Sequence, residues 1–255
     1  MRVRVIGSHR SMSATQHDPI TLTRRSAPPS PASQERVLEV NDVQRVYRTG
    51  VTLFGRHRQL HAVAGVSFTL HRGRTLGLVG ESGCGKSTTG RLALGLERPD
   101  AGTVAFDGAP LPRAGTSAWR RLRARMQLVF QDPLGALDRR LTIGTQVTEP
   151  LAVHDIGTRE ERASRAADLL NAVGLRPDQA LRYPHELSGG QRQRAVIARA
   201  LATQPDVLVC DEPVSALDVS IQAQVVNLLI DLQAQFGLAI LFISHDLKLV
   251  RLIAH

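Results

Sequence analysis

The chain has 255 residues, of which 32 are Lys or Arg and 23 are Asp or Glu, so its formal charge is +9. With 42% hydrophobic and 22% charged residues it holds ample apolar material for a core and is not wholly disordered. Its longest apolar run, Leu238 to Ile243, falls far short of the roughly 20 residues needed to cross a bilayer, and two cysteines, Cys84 and Cys210, exclude a disulfide framework or a cysteine-rich metal centre.

Lys86 and Lys248 are the only lysines, so the basic excess is arginine. That bias reads as genome-wide coding preference, although charge alone leaves nucleic acid or an anionic membrane open as partners. Few cysteines and no secretory apolar segment point to a reducing cytoplasm.

Residues 1–36 carry Ser26-Ala27-Pro28-Pro29-Ser30-Pro31 and a net charge of +4, against +5 for the remaining 219 residues. Composition predicts a disordered basic leader, and Met12 offers an alternative start. From Val37 the texture is strand-like: Val37–Val40, Val43–Tyr47 and His61–Leu70 predict early antiparallel structure. Thr75 to Val79 is a short continuous apolar run before a Gly-rich loop, which suits a parallel strand buried on both faces, and Ser87 to Leu96 predicts a helix.

Between Pro133 and Leu187 the pattern turns helical. Thr158 and Glu161 form a capping box ahead of Ala166, Leu169, Leu170 and Val173, with Gly174 at the expected αL stop. Ser188–Ala202 predicts another helix, opened by a Ser-x-x-Gln pair. Two further buried strands, Asp206–Cys210 and Leu238–Ser244, flank the helix of Ile221, Val225, Leu228, Leu229 and Leu232.

Three segments carry chemistry. Gly80-Glu81-Ser82-Gly83-Cys84-Gly85-Lys86-Ser87 is a phosphate-binding loop between a strand and a helix. Its backbone N–H groups and the positive helix end suit phosphate oxygens, Lys86 adds a charge, and Ser87 has a hydroxyl for Mg²⁺. Val207-Leu208-Val209-Cys210-Asp211-Glu212 ends a buried strand in two carboxylates, with Asp211 placed for the Mg²⁺ shell. Ser188-Gly189-Gly190-Gln191 is a second helix start stripped of bulky side chains, able to approach an anion. One nucleotide does not need two such termini, so the second is assigned to the nucleotide of another subunit.

With these segments in this order, the chain from about Val37 onward resembles the nucleotide-binding subunit of an ABC transporter. The resemblance implies an α/β fold: a P-loop NTPase (RecA-like) parallel core, an N-terminal antiparallel β subdomain, and a helical subdomain inserted at about 133–190 in a domain spanning 37–255. It implies ATP and Mg²⁺, a head-to-tail dimer, and hydrolysis linked to dimer closure. By position, Glu212 matches the general base and His245 the γ-phosphate contact. Gln131, in Phe130-Gln131-Asp132-Pro133, matches the glutamine that reaches Mg²⁺ and water, Asp218 the interface loop, and Thr88 a hydroxyl near the α-phosphate. Tyr47 is the candidate to stack on adenine.

Within the family the chain resembles the ATPases of peptide and nickel importers, second-paralogue type. The segments carrying this are His61–Phe68, the Cys84-containing loop, Arg182–Leu187 and Asp218–Gln224, with the insertion Thr49–Leu60. The implied partners are a paralogous or identical ATPase, two membrane permeases and, indirectly, an extracytoplasmic binding protein, at the cytoplasmic face of the inner membrane. Nickel or another small solute stays open as cargo, as does a non-transport ATPase acting on nucleic acid or ribosomes. Against the latter, Arg120, Arg121, Arg123 and Arg125 fit a solvated helix face, aromatics are 4% of residues, and no nucleic acid is expected as partner. Only ten residues follow His245, so the resemblance also implies a C-terminally shortened cassette.

Overall fold

The computed structural model describes residues 4–6, 35–51 and 57–254. In chain order it begins with β1 (Arg4–Ile6), β2 (Arg36–Val51), β3 (His57–His71), β4 (Thr75–Val79) and helix α1 (Lys86–Ala93). A hairpin, β5 (Ala101–Phe106) and β6 (Ala109–Pro110), is followed by α2 (Ser117–Arg125) and β7 (Met126–Val129). Then come α3 (Pro133–Ala136), α4 (Ile143–Val153), α5 (Arg159–Ala172) and α6 (Gly189–Leu201), followed by β8 (Val207–Asp211), α7 (Val219–Phe236), β9 (Ala239–Ser244) and α8 (Leu247–Ile253).

β4, β9, β8 and β7 pair in that order as parallel neighbours, and β1 lies antiparallel on the outer side of β4. Most of the expected disordered leader is outside the described residues, but Arg4–Ile6 depart from that expectation by forming this edge strand. The other sheet is antiparallel, in the order β3-β2-β5-β6. Two segments expected as separate strands, Val37–Val40 and Val43–Tyr47, are one strand. The chain passes between them through a register shift at Asp42, whose φ of 46° absorbs the extra residue. Most of the insertion at Thr49–Leu60 lies outside the described residues or their described side chains.

The apolar runs of β8 and β9 are explained by two cores. Leu208, Cys210, Ile240 and Phe242 face a core shared with the helices from α4 to α8. Val207, Val209, Leu241 and Ile243 face the opposite core, with Leu92 of α1 and Leu38, Val40 and Phe68 of the antiparallel sheet. A period of two that is apolar at both phases therefore reads as an unbroken hydrophobic run.

Helices occupy the whole stretch between β7 and β8. The Thr158 hydroxyl accepts from Glu161 N at 3.2 Å and Glu161 accepts from Thr158 N at 2.7 Å, completing the capping box. Gly174 follows at φ 74°. In α2 no residue is buried, yet its arginines are not merely solvated: Arg123 lies over Trp119 at 5.6 Å, and Arg125 joins a closed ring of ion pairs. Arg72 bonds Asp206 and Asp107 at 2.5 and 2.8 Å, and Arg125 bonds the same two carboxylates at 2.5 and 2.7 Å. The ring joins the segment before β4, the turn after β5, the end of α2 and the residue before β8.

Candidate active site

All four parallel strands deliver their next residues to one end of the sheet. Gly80 follows β4, Gln131 lies just past β7, Asp211 closes β8 with Glu212 next, and His245 follows β9. The register sets Val79 beside Ser244 and Asp211 beside Ile243, so these tips are level. In open α/β sheets ligands bind in the crevice outside such carboxyl ends.

The Gly80–Gly85 loop turns sharply into α1. Gly85 has φ 95°, and a Cβ there would stand 1.9 Å from the Ala62 carbonyl oxygen, so only glycine fits. Lys86 is 4% exposed, and its ammonium donates to the carbonyls of Gly80 and Glu81, both at 2.9 Å. Its Nζ also lies 3.5 Å from Glu212 Oε1. The Ser87 hydroxyl donates to Asp211 Oδ1 at 3.0 Å, joining the loop's helix to the end of β8. Ser82 and Gly83 are exposed, whereas Cys84 and Thr88 are partly buried.

Burial raises the Asp211 carboxyl above the usual aspartate value, and the neighbouring Glu212 charge adds to this. The Ser87 hydrogen bond and the positive charges of Arg91 and Lys86 pull the other way. Burial likewise pushes the Cys210 thiol up, helped by Asp211, so this cysteine is an inert core residue.

Glu212 leaves the strand with φ 46°, a costly conformation for a residue with a Cβ, while its N–H stays bonded to the Ile243 carbonyl at 3.0 Å. The kink brings its carboxylate beside three sequence-predicted residues. Besides Lys86, Glu212 Oε2 accepts from Gln131 Nε2 at 3.4 Å and lies 3.2 Å from His245 Nδ1. An ionised carboxylate only accepts, which assigns the shared proton to Nδ1. A recess of about 50 Å³ adjoins this group, lined among others by Glu212, Ser215, Ser244 and His245. It has room for about one or two waters.

The remaining candidates lie elsewhere. Ser188 caps α6: its hydroxyl accepts from Gln191 N at 3.3 Å and its own N–H donates to Gln191 Oε1 at 2.9 Å. Among the described residues, no hydrogen bond or ion pair links Ser188–Gln191 to the Gly80–Thr88 segment. Asp218, exposed, is the residue before α7 and makes no side-chain cap bond. Tyr47 on β2 donates its hydroxyl to Glu97, and Arg45 lies 5.0 Å from its ring centre. Its partner on β3 is Leu60, two residues before Ala62, whose carbonyl abuts Gly85. Sequence reasoning missed the stacking of Tyr183 on His185, 5.7 Å apart and 12° from parallel, just ahead of Ser188. The spacing of two rings around Pro184 was its only signal.

A strand-loop-helix turn after β4, a carboxylate pair at the tip of β8 with β9 between the two strands, and a glycine-opened helix define the class, and the comparisons agree. The ABC transporter family profile matches residues 63–215, and the chain belongs to that family. It is 53% identical over 226 residues to the glutathione import ATP-binding protein GsiA of Pectobacterium atrosepticum, covering 88% of this chain and 36% of that one. It is 51% identical over 239 residues to a putative peptide import ATP-binding protein of Brucella abortus, covering 93% of this chain and 71% of that one. The chain thus spans about a third of the first relative's length and somewhat over two thirds of the second's. Among solved structures, the dimeric post-hydrolysis state of the ATP-binding cassette MJ0796, bound to ADP and Pi, aligns with a TM-score of 0.73. Identity there is 29%, over 84% of this chain and 90% of that one. The parallel core with its loop and α1 is accordingly the P-loop NTPase fold. No described helix is long and apolar enough to cross a membrane.

Proposed function

We infer that this chain binds and hydrolyses ATP to energise import of peptides through a membrane permease. One observation carries the chemistry: Lys86, Gln131 and His245 converge on the Glu212 carboxylate beside the glycine loop. The loop N–H groups and Lys86 hold the phosphates, with Tyr47 against the base, Thr88 near the α-phosphate and Ser82–Gly85 lining the turn. Glu212 accepts a proton from a water in the adjoining recess while that water's oxygen attacks the γ-phosphorus and the bond to ADP breaks. His245 and Gln131 fix the carboxylate and the water.

The donor set suits Mg²⁺, a hard cation that takes few protein ligands and keeps phosphate and water oxygens. Ser87 and Asp211 would hold it directly, with Gln131 at its edge. When bound, Mg²⁺ neutralises charge on the phosphates.

Ser188 and Asp218 are exposed, and among the described residues no hydrogen bond or ion pair ties Ser188–Gln191 to the chain's own Gly80–Thr88 segment. They support a dimer in which each α6 terminus faces the partner's nucleotide, as the dimeric state of MJ0796 encourages. The relatives' names, glutathione import and peptide import, favour a peptide as cargo, with a second cassette, homologous or identical, and permeases at the cytoplasmic side of the membrane. Phosphate release from Mg-ATP by the purified chain, abolished in Glu212→Gln, tests the hydrolysis. Reconstitution with the permease and a labelled di- or tripeptide tests the cargo. Absence of turnover with permease present refutes the first, and turnover without peptide uptake refutes the second.

A further inference from the structure

Gln193 is fully buried on α6, and among the described residues neither its amide nitrogen nor its amide oxygen has a hydrogen-bond partner. Such a group weakens the fold and calls for a reason. It does not cap the helix, because Ser188 and Gln191 do that.

Gly189 and Gly190 precede Gln193 by four and three positions and share its helix face. That face is pressed against the start of α7. A Cβ on Gly190 would stand 2.7 Å from Ile221 Cγ2, and one on Gly189 3.3 Å from Leu217 Cδ2. Leu217 and Ile221 bracket Asp218, and the segment leading to them starts at the strained Glu212. This segment is already held from α7. Gln222 Nε2 donates to the carbonyls of Val214 and Leu217 at 3.1 and 3.0 Å, and the Ser215 hydroxyl donates to the Glu212 carbonyl at 3.1 Å. The 212–218 segment therefore runs beside one glutamine whose bonds are made and a helix carrying another whose bonds are not.

We propose that Gln193 is a positioning residue whose amide pairs with the backbone of the 214–218 segment only when that segment shifts toward α6. The pairing ties the α6 terminus to Glu212. Since the proposed dimer sets that terminus on the partner's nucleotide, the amide carries the arrival of one nucleotide to the base serving the other. This rests on the ATP-hydrolysis reading above.

The test is Gln193→Met in the full chain, which keeps length and removes both polar atoms. Thermal unfolding without nucleotide and steady-state Mg-ATP turnover are measured beside the parent and Glu212→Gln. The expected result is an unfolding temperature raised by about 2 °C or more, because a buried unpaired amide is gone. With it, kcat falls about tenfold or more while KM stays within about twofold, as for a bond made only on the way to reaction. A variant that unfolds at or below the parent's temperature, or fails to fold, shows that the amide is paired at rest and overturns the proposal. Unchanged kcat, or a raised KM alone, also overturns it. If the parent has no turnover, the hydrolysis reading fails first and this one falls with it, an outcome distinct from an active parent and an unaffected variant.

Discussion

Lys86 Nζ lies 3.5 Å from Glu212 Oε1, an ion pair of which both members are largely buried. The cation assigned to phosphate and the carboxylate assigned to water thus neutralise each other within one site. In the function proposed above, nucleotide phosphates would compete with Glu212 for the same ammonium.

Glu212→Gln keeps the shape and the contact with His245 but removes the competing charge. ATP affinity is expected to be unchanged or higher, while turnover falls by about 10²- to 10⁴-fold. Equilibrium binding with a fluorescent nucleotide and phosphate-release kinetics check both, and light scattering in ATP should show an accumulated dimer. Turnover at the parent's rate would remove Glu212 from the role of base.

Lys86→Ala deletes a charge-assisted contact and leaves Glu212 without its cation. The loss in nucleotide binding is expected at about 1.5–3 kcal/mol, or roughly 10- to 150-fold in Kd. Titration calorimetry reads this directly, and an unaltered Kd would place the phosphates elsewhere.

Gly85→Ala introduces a Cβ into a left-handed backbone 1.9 Å from the Ala62 carbonyl. Strain and displacement of β3 together are expected to cost at least about 2 kcal/mol of stability and to abolish ATP binding. Chemical denaturation compared with the parent measures the first. A variant as stable as the parent would contradict the close approach of β3 to the loop.

A pH effect follows from His154 at the end of α4. Burial lowers its pKa below the usual histidine value, and the charges of Arg123 and Arg120 lower it further. The folded protein then binds fewer protons than the unfolded chain as pH falls below about 6.5, so the stability present above that pH is lost on acidification through the depressed value. His154→Asn should gain on the parent progressively below about pH 6.5 and match its pH dependence above. Parallel thermal-unfolding profiles from pH 5 to 8 would count against this.

The parallel core was legible because strands buried on both faces leave unbroken apolar runs, as in Leu238 to Ile243, and because Gly85 and Lys86 sit in a pattern few other folds use. Glu212 could be placed beside the loop on adjacency to Asp211 alone. What the letters did not contain was the kink at Glu212, since a positive φ at a glutamate is imposed by tertiary bonds such as that to Ile243. The long strand through Asp42 was missed for a similar reason: a bulge interrupts the alternation that marks a strand. The Arg125 ring was likewise hidden, because local sequence shows only an arginine-rich helix, while Asp107 and Asp206 arrive from distant turns.

That ring of Arg72, Asp107, Arg125 and Asp206 stands at the entry ends of the strands whose exit ends hold Gly80, Gln131 and Asp211. The ion-pair ring and the candidate site therefore occupy opposite ends of the same sheet. Substitutions among these four charges should move the melting point with little effect on catalysis, giving the chain latitude to adapt to a new growth temperature without renegotiating its reaction.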